Sequence, residues 1–230
     1  MRSAPVSYVT AKAAMTLKSD TTPITIRVNK PRGTIYWGGA GLDGTYIADQ
    51  VSALQEAGVR NVHVGTRSYG RAVDSLRAGL TVRYRDSPVD DDWHIGGMEN
   101  NSSPQFNMIG YSYGSLLAAQ TANFYAHNGH LVDHLVLIGS PIDIDFLAYL
   151  REQKNIRKII VRNLTERGDP IFAGMHQSRI FLSLIKLRAQ MKKTEATEIG
   201  VGHFYYAGTS TEGGRRRRSL AKSIYDHGLR

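Results

Sequence analysis

The sequence predicts an α/β domain: a mostly parallel sheet with helices on both faces and no large cap domain. Three observations lead there. Extended and helical patterns alternate along the chain, the order from which parallel sheets are built. Leu135-Val136-Leu137-Ile138-Gly139 is a short, nearly uninterrupted apolar run, as expected of a strand covered on both faces. No repeat and no linker divides the 230 residues, so one domain is expected over 1–230, with a basic C-terminal segment at 207–230.

The elements follow in order. Pro23 to Val28 alternates and reads as a strand, and Gly33 to Trp37 is a second, ending at Gly38-Gly39-Ala40-Gly41. Tyr46 to Ala57 is a helix with Ile47, Val51 and Leu54 on one face and Gly58 as its stop. Asn61 to Gly65 is a strand, Arg71 to Leu80 a short helix, and Thr81 to Arg85 extended. Residues 86 to 103, rich in Asp, Gly, Asn and Ser, read as a loop. Phe106 to Gly110 is a strand, and Ser115 to Asn128 a helix of Ala and Leu. After the apolar run come a helix at Phe146–Glu152, a strand at Arg157–Arg162 and a helix at Ile180–Met191. Thr197 to Val201 is weakly strand-like, and Ser219 to Tyr225 closes the chain as a helix.

Composition excludes several classes. With no Cys there is no disulfide, thiolate metal site or cysteine nucleophile. No run of eighteen apolar residues can span a bilayer, and the N-terminus lacks the apolar core of a secretory peptide. Those two observations suggest a soluble protein, cytoplasmic or exported by a signal-independent route. The net charge of +9 is uneven: 17 basic and 7 acidic residues lie in 151–230, against 12 and 13 in 1–150. The run Arg215-Arg216-Arg217-Arg218 is a candidate contact for an anionic membrane surface, and a nucleic-acid role ranks well below that. There is no phosphate loop, no His-Glu-x-x-His and no acidic calcium loop, so no cofactor or metal is expected. Asp90-Asp91-Asp92 lacks alternating ligand spacing and reads as a solvated loop.

In open parallel sheets ligands bind beyond the carboxyl ends of the strands, so chemistry is sought just after each strand. Gly110-Tyr111-Ser112-Tyr113-Gly114 stands between a strand and a helix, the context in which Gly-x-Ser-x-Gly presents a nucleophile. The sharp turn requires small residues two before and two after Ser112, and it aims the hydroxyl at a helix N-terminus.

On these residues, over approximately 24–206, the chain resembles the α/β-hydrolase superfamily, especially its lipase, esterase and thioesterase branches. The resemblance implies a fixed order of oxyanion loop, Ser, acid and His. The oxyanion loop would be Gly38-Gly39-Ala40-Gly41, with Trp37 where the family usually has His. The donors would be the Gly39 or Ala40 amide and the Tyr113 amide. The acid, after the next-to-last strand, would be Asp169 in Gly168-Asp169-Pro170-Ile171, with Asp143, Asp145 and Glu166 as rivals. The base, after a final strand, would be His203 in Gly202-His203-Phe204, with His176 as its main rival. Ser112, Asp169 and His203 then form a triad that cleaves a carboxylic ester through an acyl-enzyme.

Lipid or phospholipid acyl esters are the expected substrates, since the apolar stretch Ile171 to Met191 lies between acid and base and the basic residues concentrate in the last third of the chain. That stretch and the loop 86–103 are the possible covers of the site. A small-molecule esterase or thioesterase, or a non-catalytic binding module on the same fold, is the alternative.

Overall fold

The computed structural model describes residues 7–9, 14–15, 21–22, 31–39, 45–65, 98, 102–127 and 129–230. The strands are β1 (Ser7–Val9), β2 (Ala14–Met15), β3 (Thr21–Thr22), β4 (Gly33–Trp37), β5 (Val62–Gly65), β6 (Phe106–Tyr111), β7 (His134–Ile138) and β8 (Ile159–Arg162). The helices are α1 (Thr45–Glu56), α2 (Tyr113–His127), α3 (Ile144–Glu152), α4 (Gln177–Leu182), α5 (Leu184–Thr197) and α6 (Thr211–Asp226). Short 3₁₀ turns lie at Thr165–Arg167 and Gly202–Phe204.

Six strands form one all-parallel sheet in the order β1-β5-β4-β6-β7-β8, and β2 pairs with β3 in a separate antiparallel ribbon. Side chains alternate strictly between the two faces, as a strand's period of two dictates. Ile35, Trp37, Phe106, Met108, Leu135 and Leu137 join one core cluster with α2 and α3. Tyr36, Ile109, Tyr111, Val136 and Ile138 join the other with α1 and α6. Both faces are thus covered, and β4, β6 and β7 are buried along their whole length, which explains their nearly continuous apolar reading. Truncating a fully buried Leu such as Leu137 to Ala would cost about 2–5 kcal/mol. Among the described residues there is no large cap domain, and no helix is long and apolar enough to cross a membrane.

The strand order sets the place for chemistry. The chain leaves β4 for β5 on one side, then returns to lay β6 on the other. A crevice therefore opens between the carboxyl ends of β4 and β6, where Trp37 is in register with Gly110.

Several expectations change. The helix expected at 180–191 is two helices meeting at Ser183, and the second runs on to Thr197. The strand expected at Thr197–Val201 does not form. Glu198 takes a left-handed conformation after α5, and Gly200 packs so closely on the Phe204 carbonyl that the chain must turn. Hence β8 is the last strand of the sheet, and His203 lies on a 3₁₀ turn instead of beyond a final strand. The terminal helix begins at Thr211, capped by the Ser210 hydroxyl accepting from the Gly213 amide. Gly213 lies in its first turn, where a Cβ would come within 2.2 Å of the Gly208 carbonyl oxygen, so packing demands glycine there. Segment 207–230 is thereby part of the core, with Leu220, Ala221, Ile224 and Leu229 buried. The readings at 23–28 and 66–97 lie outside the described residues.

Candidate active site

Ser112 follows β6 and precedes α2, with φ +54°, a left-handed conformation that a residue with a Cβ adopts at a cost. Both flanking glycines are required by the crowding this produces. A Cβ on Gly110 would lie 2.3 Å from the Gly114 oxygen, and one on Gly114 would lie 2.4 Å from the Gly38 oxygen. The turn is held by the Ser112 amide donating to the Ile138 carbonyl at 2.8 Å. The Ser115 hydroxyl adds a contact to the Ser112 carbonyl and a 2.6 Å hydrogen bond to the Ser140 hydroxyl.

The three residues singled out in the sequence meet in one relay. The Ser112 hydroxyl lies 2.6 Å from His203 Nε2, and His203 Nδ1 lies 2.8 Å from Asp169 Oδ2. An ionised carboxylate only accepts, so Nδ1 carries the imidazole proton and Nε2 is left to accept from Ser112. The Asp169 and His203 side chains are almost fully enclosed, where water competes little for that bond. Asp169 Oδ1 is occupied as well, accepting from the Ile171 amide at 2.8 Å.

The rivals fall elsewhere. Asp143 caps α3, its carboxylate accepting from the Phe146 amide at 2.8 Å. Asp145, Glu166 and His176 are exposed.

The oxyanion loop departs from expectation. Gly39 does lie against Ser112, since a Cβ there would be 3.0 Å from Ser112 Cβ. Its amide, however, donates to the Tyr46 hydroxyl at 3.0 Å, because Tyr46 at the start of α1 tucks its buried ring under the loop. The Gly39 amide is thus committed, and Ala40 lies outside the described residues. Tyr113 opens α2, which places its amide in the first turn at the positive end of a 15-residue helix.

Two further residues brace the relay. The Gln190 carboxamide, on α5, accepts from the His203 amide at 2.9 Å and donates to the Gly168 carbonyl at 2.8 Å, clamping the base loop to the acid loop. Tyr111 donates to the His203 carbonyl at 2.5 Å and stacks on its ring, with centroids 6.1 Å apart. Burial, and then the neighbouring phenols and Asp169, push the Tyr111 phenol well above its ordinary pKa, which keeps it a neutral donor. Nothing in the sequence distinguishes Gln190 from any other helical Gln. Tyr111 was open to suspicion only as a member of the Gly-x-Ser-x-Gly motif.

The tetra-arginine run is split, with Arg216 and Arg217 drawn inward and Arg215 and Arg218 exposed. Arg217 is 3% exposed, paired with Asp49 at 2.5 Å and donating to the Tyr206 and Gly208 carbonyls. Arg216 pairs with Glu212 and lies over the Tyr205 ring. Arg218 pairs with Asp49 and Glu56, and Arg215 with Glu212. Arg217 and Arg218 fasten α6 to α1, while Arg215 and Arg216 pair within α6, so each of the four has a carboxylate partner.

Among the described residues no group of three or more His, Asp or Glu could hold a metal ion. The chain matches no family model and no curated protein. What the arrangement can do chemically therefore rests on its own geometry: a serine hydroxyl within hydrogen-bond reach of an imidazole nitrogen able to accept its proton, and a carboxylate that holds the imidazole.

Proposed function

We propose that this chain is a serine hydrolase of the α/β-hydrolase type that cleaves carboxylic esters through Ser112, His203 and Asp169. The single observation that carries the reading is the unbroken relay from Ser112 Oγ through His203 to Asp169 Oδ2, anchored on a serine of positive φ at the switch point of the sheet. Ser112 Oγ attacks the acyl carbon while its proton passes to His203 Nε2. The Tyr113 amide and the positive end of α2 stabilise the oxyanion. Collapse of the tetrahedral species expels the alcohol, which takes the proton from His203. Water, deprotonated in turn by His203, attacks the acyl-enzyme and releases the acid. Asp169 fixes the tautomer and stabilises the imidazolium.

Lipid or phospholipid acyl esters suit the surroundings best. A separate apolar cluster of Ile171, Met175, Ile180 and Leu187 adjoins the acid loop, and Leu182 and Ile185 stand exposed beside it. A small-molecule ester or thioester would use the same relay.

The test is a fluorophosphonate probe with the adduct located by mass spectrometry, alongside p-nitrophenyl esters from acetate to palmitate. Labelling at Ser112 that disappears in His203→Ala is the expected result, and the chain-length profile then separates lipase from esterase. No labelling, with or without lipid, overturns the hydrolase reading in favour of a binding module.

A further inference from the structure

The α4–α5 pair has an inner and an outer face of different character. Ile180 and Leu187 turn inward to pack with Ile171 and Met175. Leu182 and Ile185 turn outward, 77% and 85% exposed, and no other large apolar side chain among the described residues approaches that exposure. Three residues apart across the Ser183 break, they form the tip of the pair. The Ser183 hydroxyl reaches back to the Pro170 carbonyl at 3.4 Å, next to Asp169, so the tip adjoins the acid loop.

Charge surrounds this tip with one sign. Ile185, Arg188, Ala189 and Lys192 fall at helical spacing on one exposed face of α5, flanked by exposed Lys186 and Lys193, and Arg179 lies three residues before Leu182. No acidic residue occurs from Ile171 to Thr194, and negative charge resumes only at Glu195. Among the described residues none of Arg179, Lys186, Arg188, Lys192 and Lys193 makes an ion pair, unlike Arg215 to Arg218. An apolar tip ringed by Lys and Arg that pair with no carboxylate among the described residues complements a surface that offers acyl chains beneath negative headgroups.

We infer that the α4–α5 tip docks the protein on an anionic lipid bilayer, with Leu182 and Ile185 entering the interface and the five basic side chains facing the headgroups. The inference rests on the hydrolase reading, for which it names the membrane as the source of the acyl ester. Each apolar side chain moved into the interface should strengthen partitioning by about tenfold, and each basic side chain near the surface by about fivefold.

Co-sedimentation tests it with vesicles of phosphatidylcholine alone and of phosphatidylcholine with an equal part of phosphatidylglycerol, at low and high salt. Wild-type protein is expected to sediment with the anionic vesicles and to be released by salt. Leu182→Ser/Ile185→Ser, and separately Lys186→Gln/Arg188→Gln/Lys192→Gln/Lys193→Gln, should each weaken that binding at least tenfold, while Arg215→Gln leaves it unchanged. Fluorophosphonate labelling of the same variants free in solution reports on Ser112 independently, and it should equal wild type. Absent vesicle binding, binding that survives both patch variants, or a patch that alters only self-association on a sizing column would overturn the docking proposal without touching the hydrolase. Patch-dependent binding by a protein that never labels would instead retain the docking surface and overturn the enzyme.

Discussion

Ser112 and its two partners in the relay are built in different ways. Ser112 is placed by five consecutive residues: a strand that ends, a helix that begins, and glycines at 110 and 114 that let the backbone cross itself within van der Waals limits. Asp169 and His203 sit on two loops 34 residues apart, with only 3₁₀ turns nearby and no strand leading into His203. Their alignment comes from outside those loops, through Gln190 on α5 and Tyr111 on β6. The serine is held by local sterics together with backbone hydrogen bonds of its own turn, its partners by side-chain hydrogen bonds reaching in from other elements. Loss of any relay member should therefore be severe, whereas loss of a single support on the acid–base side, Gln190 or Tyr111, should weaken activity by degrees.

The largest effects fall on the relay itself. Ser112→Ala should lower kcat by about a million-fold, and His203→Ala by a similar factor, with the double variant no worse than either. Turnover of a p-nitrophenyl ester checks this, and additive losses would mean that the two residues do not act as a unit. Asp169→Asn should cost about ten-thousand-fold, because the amide can donate to Nδ1 and favour the wrong tautomer. Its rival gives the contrast. Asp143→Ala removes the cap of α3 and should cost about 1 kcal/mol of stability, read by thermal unfolding, with kcat unchanged.

The same division decides what the sequence could disclose. The elbow is legible because strand, turn, small residues and helix are contiguous, so a local pattern contains all of the constraint. Asp169 and His203 were found by their order after it, although the final strand expected before His203 is absent. There the run Thr197-Glu198-Ile199-Gly200-Val201 mixes a helix end with a glycine-packed turn, and propensity alone does not separate these from an extended segment. Helix α6 begins eight residues before the expected Ser219, and its Gly213 answers to a contact with Gly208 that no pattern announces. The pairing of Arg217 and Arg218 depends on Asp49 and Glu56, more than 150 residues away in the chain. Gln190 was invisible for the same reason: its meaning lies in Gly168 and His203, not in its neighbours on α5.

Gln190 is accordingly the residue with which to probe the acid–base side. Gln190→Leu removes both clamps and should lower kcat by about tenfold to a hundredfold, the cost expected when reacting groups drift by a fraction of their spacing. KM for a small ester should stay as in wild type, because the hydrogen bonds of Gln190 go to the backbones of the acid and His203 loops. Gln190→Glu keeps the acceptor for the His203 amide but loses the donor to Gly168, so its rate should fall between the two. A parallel rise in KM would show that helix α5 shapes the binding pocket instead of the relay.

The smallest effect separates the two sides most finely, because Tyr111 belongs to both. It immediately precedes Ser112 on β6, and its hydroxyl holds the His203 carbonyl from beneath. Tyr111→Phe keeps the ring stacked on the imidazole and removes only that donor, leaving the carbonyl unpaired at a cost of about 1–3 kcal/mol of stability. The Gln190 clamp remains on the His203 amide, so kcat should fall by only about fivefold, roughly what the loss of one net hydrogen bond allows. If Tyr111→Phe instead slows turnover more than Gln190→Leu does, the base is positioned from the nucleophile's own strand. The two regions would then be one rigid unit, with α5 merely packed on its outside.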